Sequence, residues 1–233
     1  MKSLLANCLV NCGIAAVLLT LSACTNDAYD KGEGSYSLMQ AEMADIHVGS
    51  DLKADYFVTD DDEKFTVATP FTTNWMKTAD STYRAMTYFS KQGEGMAEVE
   101  GFNRVGVITP KRQKDLKTAP VRFESAWMSR GGQYLNACIY LLQGSTSDEK
   151  AIQTLGCHID TLRRNADGTK TMQLTLFHDQ GGVPEYYSQR TFVSIPLANA
   201  TTDSVCLTIN TYEGVIRKTF KFPSAKGGKR EAQ

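Results

Sequence analysis

Between residues 121 and 222, apolar and polar residues alternate along short runs that are separated by turn-forming residues. In the clearest run, residues 133–142, Leu135, Ile139 and Leu141 fall on one face and the intervening residues fall on the other. Because side chains alternate between the two faces of a strand, this pattern predicts half-buried strands. About seven such runs in about 100 residues, with turns at short spacing and almost no helical signal, predict an antiparallel β-sandwich.

The residues before this region also favour short strands. Runs with strand-like composition fall at residues 38–48, 54–59, 64–68, 83–90 and 95–109. The last run is long enough to require a bend at Gly101 or Gly106. Five strands without a helical period predict a small closed barrel, so we expect an all-β chain in which a barrel precedes a sandwich.

The N-terminus has the features of a secretory signal peptide. Lys2 supplies a positive charge, and the run from Leu9 to Leu21 carries none. This run is shorter than the roughly 20 apolar residues of a transmembrane helix and ends in small residues. Its Leu-Ser-Ala-Cys ending resembles the lipobox of bacterial lipoproteins, which implies cleavage after residue 23 and lipid attachment at Cys24. The alternatives are an ordinary signal peptide cut elsewhere and a membrane helix.

Composition along the chain indicates the domain organisation. Residues 25–37 are small, polar and acidic without a period, which predicts a flexible tether. Four of the seven residues at 111–117 are basic. We interpret this segment as a solvated linker, and the alternative is a segment that binds anionic lipid or polysaccharide. The predicted parts are a signal peptide at 1–23, a tether at 24–37, a small β-barrel domain at 38–118, a β-sandwich domain at 119–223 and a basic disordered tail at 224–233.

The overall charge balance bears on the class of partner. The chain has 233 residues, with 25 Lys plus Arg against 26 Asp plus Glu and a formal net charge of -1. A nucleic-acid-binding protein needs a basic face that neutralises phosphates, so we expect no nucleic-acid partner.

Motifs that carry catalysis do not occur in the sequence. There is no Gly-Xaa-Ser-Xaa-Gly nucleophile elbow, phosphate loop or dinucleotide fingerprint. Cys157 and His158, with His178 one hairpin away, form the best candidate for a metal or Cys/His site. Neighbouring residues on a strand point to opposite faces, however, which disfavours a shared ligand set. We therefore assign no catalytic, cofactor-binding or metal-ligating residue and expect no cofactor.

Four consecutive acidic residues, Asp60 to Glu63, separate two predicted strands. They lack the spacing and the glycine of a calcium-binding loop. Aspartate is a common turn residue, so we interpret the segment as a solvated hairpin turn, with a cation-binding loop as the alternative.

Three cysteines, Cys138, Cys157 and Cys206, fall within predicted strands of the sandwich. An exported protein reaches a compartment that permits disulfides. Since the number is odd and a mid-strand cysteine usually acts as a small apolar filler, we expect no obligatory disulfide.

Trp127 falls near the end of a predicted strand, on the same face as Phe123 and Ser125. A sandwich of this size commonly uses one tryptophan to fill the space between its sheets, and we expect Trp127 to have that place. The alternative is an exposed binding anchor.

Several segments of the second half resemble one known family. They are Trp127, Gly131 to Asn136, Leu176 to Asp179, Phe192 to Ile195, Leu207 to Glu213 and Lys218 to Phe222. In this order, and together with the lipobox, they resemble the NigD-like lipoproteins of the Bacteroidota. The resemblance implies an N-terminal barrel of the oligonucleotide/oligosaccharide-binding (OB) type and a C-terminal immunoglobulin-like β-sandwich. Over residues 38–109 it rests on the order of elements alone, and members of the family have no settled biochemical activity.

The resemblance also implies a location. In lipoproteins of the Bacteroidota, an acidic cluster directly after the lipidated cysteine directs export to the outer surface, and here Asp27 and Asp30 form a diluted version. We expect an outer-membrane lipoprotein of the cell envelope, held in the membrane by its acyl chains. The periplasmic side and the outer surface both stay open.

Two classes of function remain. The first is a non-catalytic binding or protective module whose partner is an envelope protein, a glycan or a bacteriocin; Tyr186 and Tyr187, which follow Pro184, are candidate contact residues. The second is a motif-poor hydrolase acting on glycans or peptidoglycan, because a catalytic carboxylate pair has no fixed sequence spacing. We favour the non-enzymatic function.

Overall fold

The computed structural model describes residues 38–197 and 200–223. The predicted signal peptide, Cys24, the tether and the basic tail lie outside the described residues. No described residue belongs to a helix long and apolar enough to cross a membrane.

The N-terminal strands form a closed barrel. They are β1 (Gln40–Val48), β2 (Ala54–Thr59), β3 (Lys64–Phe71), β4 (Ser81–Lys91) and β5 (Met96–Arg104). Hydrogen bonds join them in the order β1-β2-β3-β5-β4, and β4 pairs with β1 to close the barrel. β3 and β5 are parallel, and their neighbours pair antiparallel.

Aromatic residues fill the barrel. Alternation along β1 places Ile46 and Val48 in the core with no exposed surface. Phe57, Phe65 and Phe89 pack against one another with ring centroids between 5.0 and 5.4 Å apart. Such aromatic contacts add to the stabilisation from burial of apolar area.

The C-terminal strands form a sandwich of two sheets. They are β6 (Gly106–Val107), β7 (Arg122–Met128), β8 (Tyr134–Gln143), β9 (Thr154–Arg164), β10 (Lys170–Asp179), β11 (Tyr187–Pro196), β12 (Ser204–Thr211) and β13 (Gly214–Lys221). One sheet has the order β13-β12-β10-β9 and the other the order β6-β11-β8-β7. Leu135, Ile139, Leu174, Ile195 and Leu207 are completely buried in their shared core. The prediction of an all-β chain, with a barrel followed by a β-sandwich, is confirmed.

Two strand pairs of the sandwich run parallel, whereas the sequence predicted an antiparallel sandwich. They are β10 with β12 and β6 with β11. Parallel neighbours need a crossover connection. Here β11, which follows β10 in the chain, belongs to the opposite sheet, so β12 returns beside β10 in the same direction.

The segment between barrel and sandwich is hydrogen-bonded to the sandwich, although we interpreted part of it as a solvated linker. The predicted long strand at residues 95–109 divides into β5 of the barrel and β6 of the sandwich. Farther along, the Lys111 amide donates to the Cys157 carbonyl at 3.0 Å, and the Lys111 carbonyl accepts from the Ile159 amide at 3.1 Å. The basic run therefore lies along the β9 edge, while the domain boundary near residue 118 stays a prediction.

Trp127 does not lie between the sheets, and this expectation was wrong. A β-bulge between Phe123 and Ser125 shifts the register of β7 against β8. Phe123 packs on the core, whereas Trp127 pairs with Asn136 on the outer face, edge-on to Phe192 at 6.5 Å between ring centroids. A bulge adds one residue to the alternation and so moves the following side chains to the other face.

We expect Trp127→Ala to lower the free energy of unfolding by only about 1–2 kcal/mol, because a half-buried aromatic loses less contact area than a core one. Urea denaturation of the variant, with Trp127→Phe as the conservative control, measures this difference. A loss of about 3–5 kcal/mol, as in core aromatic truncations, would instead mean that the side chain is fully packed.

Candidate functional site

The candidate Cys/His site is not assembled. Cys157 points into the sandwich core, whereas the next residue, His158, pairs with Thr175 on the outer face. Burial raises the pKa of the Cys157 thiol to about 12, so this cysteine is a protonated thiol at neutral pH. The His158 Nδ1 accepts a hydrogen bond from the Gln113 amide at 2.9 Å. Within the described ranges, no group of three His, Cys, Asp or Glu residues is placed to hold a metal ion.

His178 is as buried as Cys157, with 2% of its surface exposed. Neither ring nitrogen makes a hydrogen bond of ordinary geometry to a described residue. Burial lowers the pKa of His178, with the backbone of Ala119 and Pro120 acting in the opposite direction. The ring is therefore a neutral, buried side chain that packs below the connector.

The three cysteines of the sandwich, Cys138, Cys157 and Cys206, are buried and are free thiols in the structure. Cys138 and Cys157 belong to opposite sheets, and Cys206 lies on the outer side of its own sheet. Each fills space within a strand, which is the place that a small apolar residue takes.

The acidic run forms the hairpin turn between β2 and β3, as we interpreted it. The Thr59 amide donates to the Glu63 carbonyl at 2.9 Å, and Asp62 has a positive φ of 63°. Aspartate tolerates this left-handed conformation better than most residues. Asp60, the first acid of the run, turns away from the solvent and has a separate role.

Asp60 belongs to a buried ionic cluster whose central residue is Arg84 in β4. The Arg84 side chain is only 2% exposed. Its Nη2 lies 2.5 Å from the Asp60 Oδ1, and its Nη1 lies 3.4 Å from the Asp45 Oδ1. The barrel thus supplies one guanidinium and two carboxylates, which together compensate the buried positive charge.

The sandwich supplies the remaining partners of this cluster. The Arg84 Nε donates to the Ser194 Oγ at 3.1 Å, and its Nη2 donates to the Asn136 Oδ1 at 3.2 Å. Asn136 in turn donates from Nδ2 to the Asp60 Oδ2 at 2.6 Å. The Tyr134 ring covers the guanidinium, whose carbon lies 4.1 Å from the ring centroid. We call these six residues, Asp45, Asp60, Arg84, Tyr134, Asn136 and Ser194, the Arg84 cluster.

The Arg84 cluster has the geometry of a structural clamp and not of an active site. The cavity beside it has a volume of about 20 Å³, which holds about one water molecule and no sugar or peptide. Burial raises the pKa of Asp45, although the charge of Arg84 opposes the rise. Burial, followed by the charge of Asp45, raises the pKa of Tyr134 to about 12. The two carboxylates therefore bind an arginine and have no space for a substrate.

Sequence reasoning missed the Arg84 cluster because its members come from four strands and one turn. Arg84 and Ser194 are separated by 110 positions, and Arg84 and Asn136 by 52. The one available signal was an arginine directly before Ala85 in a strand whose alternate residues form the barrel core.

A second candidate site lies at the end of the sandwich that carries the β8–β9 and β10–β11 loops, and it is a surface rather than a buried cluster. The β8–β9 loop at residues 144–153 and the β10–β11 loop at residues 180–186 are held together by glutamines. The Gln153 Nε2 donates to the Gln180 Oε1 at 2.9 Å, and the Gln180 Nε2 donates to the Leu142 and Val183 carbonyls at 2.9 Å each. These bonds fix the two loops to each other and to the end of β8.

The backbones of the two loops also lie in close contact at one glycine, Gly181. Gly181 has φ 58°, and a Cβ at this position would lie 1.9 Å from the Ile152 carbonyl oxygen. Only glycine allows both the positive φ and this contact. The two loops therefore form one rigid support at the end of the sandwich.

Large side chains project from this support into solvent. Tyr186 is 78% exposed, Ile152 67%, Tyr187 57% and Tyr212, in the β12–β13 turn, 52%. The β12–β13 turn lies at the same end of the sheet as the β10–β11 loop, because β12 runs parallel to β10. Partial burial, followed by the nearby charge of Glu185, raises the pKa of Tyr212. We call the surface of Ile152, Tyr186, Tyr187 and Tyr212 the tyrosine end; it contains both tyrosines that the sequence singled out.

Comparisons with known proteins agree with this fold. A NigD-like immunity protein from Bacteroides caccae is 21% identical, with 78% of this chain and 96% of that chain covered at a TM-score of 0.57. A protein of unknown function from Bacteroides vulgatus is 18% identical, with 81% and 92% covered at 0.61. A protein from Bacteroides fragilis described as a candidate lipoprotein is 12% identical, with 81% and 100% covered at 0.52. At these identities the likeness shows a shared fold. No curated protein sequence matches the chain.

The family itself is shown by the sandwich. The model of the NigD-like C-terminal beta sandwich domain matches residues 105–222, from the residue before β6 to the residue after β13. The match includes Trp127, Asn136 and the loops of the tyrosine end. The chain therefore belongs to the NigD-like family.

Proposed function

We propose that this chain is a non-catalytic lipoprotein of the cell envelope that acts as a binding or protective module, with the tyrosine end as its contact surface. The observation that carries the proposal is the exposure of Tyr186, in the β10–β11 loop, and of Tyr187, at the start of β11, beside loops that are fixed by hydrogen bonds. Tyrosines on a rigid support provide large contact area at a low loss of conformational entropy on binding. We propose a polypeptide partner, either an envelope protein or a bacteriocin.

Two similar structures support the protective role and the location. The Bacteroides caccae protein is described as an immunity protein, and the Bacteroides fragilis protein as a candidate lipoprotein. Together with the Leu-Ser-Ala-Cys ending of the uncharged N-terminal run, they favour an outer-membrane lipoprotein for this chain. Such a protein would intercept its partner at the membrane that it protects.

Lipid attachment at Cys24 is the first expectation of this proposal. Cells that express the wild-type chain should incorporate labelled palmitate into it, and Cys24→Ala should abolish the label, because the thiol is the acceptor. Cys206→Ala is the matched control, since that cysteine is buried in the sandwich and should leave labelling unchanged. Equal labelling of wild type and Cys24→Ala would exclude this anchor.

Partner binding at the tyrosine end is the second expectation. In a pull-down from envelope extracts, Tyr186→Ser combined with Tyr187→Ser should reduce capture of the partner at least about tenfold, because tyrosine is enriched among the few interface residues whose truncation costs about 2 kcal/mol or more. The melting temperature should stay at the wild-type value, since both side chains project into solvent.

The control for this experiment is Leu162→Ser in β9. Leu162 is also exposed, at 51% of its surface, but it lies at the opposite end of the strand from the β8–β9 loop. The control should retain the partner that the wild type retains. Equal capture by the wild type and the double variant would remove the tyrosine end as the contact surface.

A further inference from the structure

A second open surface lies on the outer face of the sheet β13-β12-β10-β9, away from the loops of the tyrosine end. It is a groove of about 650 Å³. Its lining residues are Arg163, Asn165, Asp167, Thr169, Thr171, Gln173, Asp203, Ser204, Cys206, Arg217, Thr219 and Lys221. Among these described residues there is no large apolar side chain, so the groove is a polar surface.

Strand register gives the groove an ordered arrangement of charges. Arg163 pairs with Thr171, Thr171 with Ser204, and Ser204 with Lys221. These four residues form one row across the sheet, because directly paired residues project from the same face. Thr171 and Ser204 are 6% and 8% exposed and share a hydrogen bond of 2.8 Å, whereas the two cations at the ends of the row are exposed. The row therefore has a floor of hydroxyl groups between two positively charged walls.

The cations of the groove have no side-chain partner among the described residues. The side chains of Arg163, Arg217 and Lys221 make no hydrogen bond or ion pair with any other residue of the described ranges. Arg217 lies on the same side of β13 as Lys221, because it pairs with Thr208 as Lys221 pairs with Ser204. Three cations thus face the groove with free donor groups.

The two acidic lining residues are engaged elsewhere. Asp167 accepts hydrogen bonds from the Thr169 amide and hydroxyl, and these bonds, more than the charge of Lys221, lower the pKa of Asp167. The Asp203 Oδ2 accepts from the Lys170 amide at 2.7 Å. Both carboxylates thus accept hydrogen bonds from neighbouring residues at one end of the groove, and of the three cations Lys221 is the one whose charge acts on Asp167.

We propose that this groove binds an acidic polysaccharide, with Arg163, Arg217 and Lys221 contacting its carboxylate or sulfate groups. Three strand spacings separate Arg163 from Lys221, a distance of about 14 Å. At this backbone separation a polymer with repeated charges can contact both walls with extended side chains, whereas a single small anion would require both side chains to bend towards the centre of the groove. The hydroxyl and amide groups of the floor are suitable partners for sugar hydroxyls, and the absence of large apolar side chains from the lining disfavours the acyl region of a lipid.

This site is independent of the proposed partner at the tyrosine end, and its test uses other residues. Equilibrium binding of the purified full chain to dextran sulfate and polygalacturonate, with uncharged dextran as the neutral polymer, measures the interaction. We expect the chain to bind both acidic polymers and not dextran. Arg163→Gln combined with Lys221→Gln should weaken binding about tenfold, since exposed charge pairs contribute modestly and here two are lost. Increasing salt should weaken wild-type binding as well.

The matched control is Arg112→Gln combined with Lys114→Gln, which removes the same charges from the basic connector. Both residues are exposed, and this variant should bind like the wild type. The proposal is overturned if the control loses binding as much as the groove variant, or if neither variant differs from the wild type. It is also overturned if the acidic polymers do not bind while phosphatidylglycerol vesicles bind in a manner that depends on Arg163 and Lys221, because the groove would then recognise a lipid headgroup.

Discussion

Replacement of Arg84 by methionine should destabilise the protein by about 3–5 kcal/mol, because it leaves two buried carboxylates without their cation. The Arg84 side chain is 2% exposed and bonds to Asp45 and Asp60 of the barrel. It also donates to Asn136 and Ser194 of the sandwich, so the substitution removes contacts on both sides of the interface. Methionine keeps much of the side-chain volume, which separates the loss of charge from the loss of packing.

Urea denaturation can follow the two parts of the molecule separately. The chain has two tryptophans, Trp75 in the barrel and Trp127 in the sandwich. Trp127→Phe leaves Trp75 as the reporter, and Trp75→Phe leaves Trp127. In the wild-type background we expect both reporters to change at the same urea concentration, because the Arg84 cluster couples the two parts.

With Arg84→Met, the midpoints of the two reporters should fall and separate. Arg112→Met is the control, since it removes one exposed guanidinium from the connector and should change the free energy of unfolding by less than about 0.5 kcal/mol. A loss below about 1 kcal/mol for Arg84→Met, with coincident midpoints, would mean that the cluster does not hold the barrel to the sandwich.

Phe89→Ala should have a similar effect, about 3–5 kcal/mol, through the barrel core alone. Phe89 is completely buried, and its ring centroid lies 5.0 Å from that of Phe57 and 5.3 Å from that of Phe65. Truncation leaves a cavity between two rings, and the closed barrel restricts the relaxation that would fill it.

The Trp75 reporter measures this effect directly. Phe89→Leu is the conservative control, and we expect it to lose only about 1–2 kcal/mol because it retains most of the buried apolar volume. If Phe89→Ala and Phe89→Leu were equally stable, the aromatic contacts of the barrel would contribute little, and its core would be more adaptable than a closed barrel implies.

Alternation along the chain was sufficient to predict most strands. In β8 the residues predicted to share one face, Leu135, Ile139 and Leu141, are buried in the core of the sandwich. The prediction failed where a local irregularity changed the alternation. At Trp127 a bulge moved the side chain to the outer face, and a single sequence shows no reliable signal for such an insertion.

The functional surfaces were predictable to different extents. Tyr186 and Tyr187 stood out as adjacent aromatics in a loop, and the structure exposes both. The glutamines that fix their loop did not stand out, because Gln153 and Gln180 are distant in sequence and carry no motif. The Arg84 cluster and the row from Arg163 to Lys221 depend on strand pairing, which alternation alone does not determine.

The central claim is that this protein binds a partner and does not catalyse a chemical change in it. The most direct test incubates the purified full chain with the envelope component that it captures and follows the mass of that component over time by mass spectrometry. The account predicts that the component keeps its intact mass and that its recovery with the protein depends on Tyr186 and Tyr187. Fragments of the component that accumulate well beyond one equivalent of the protein would contradict the account and identify a hydrolase.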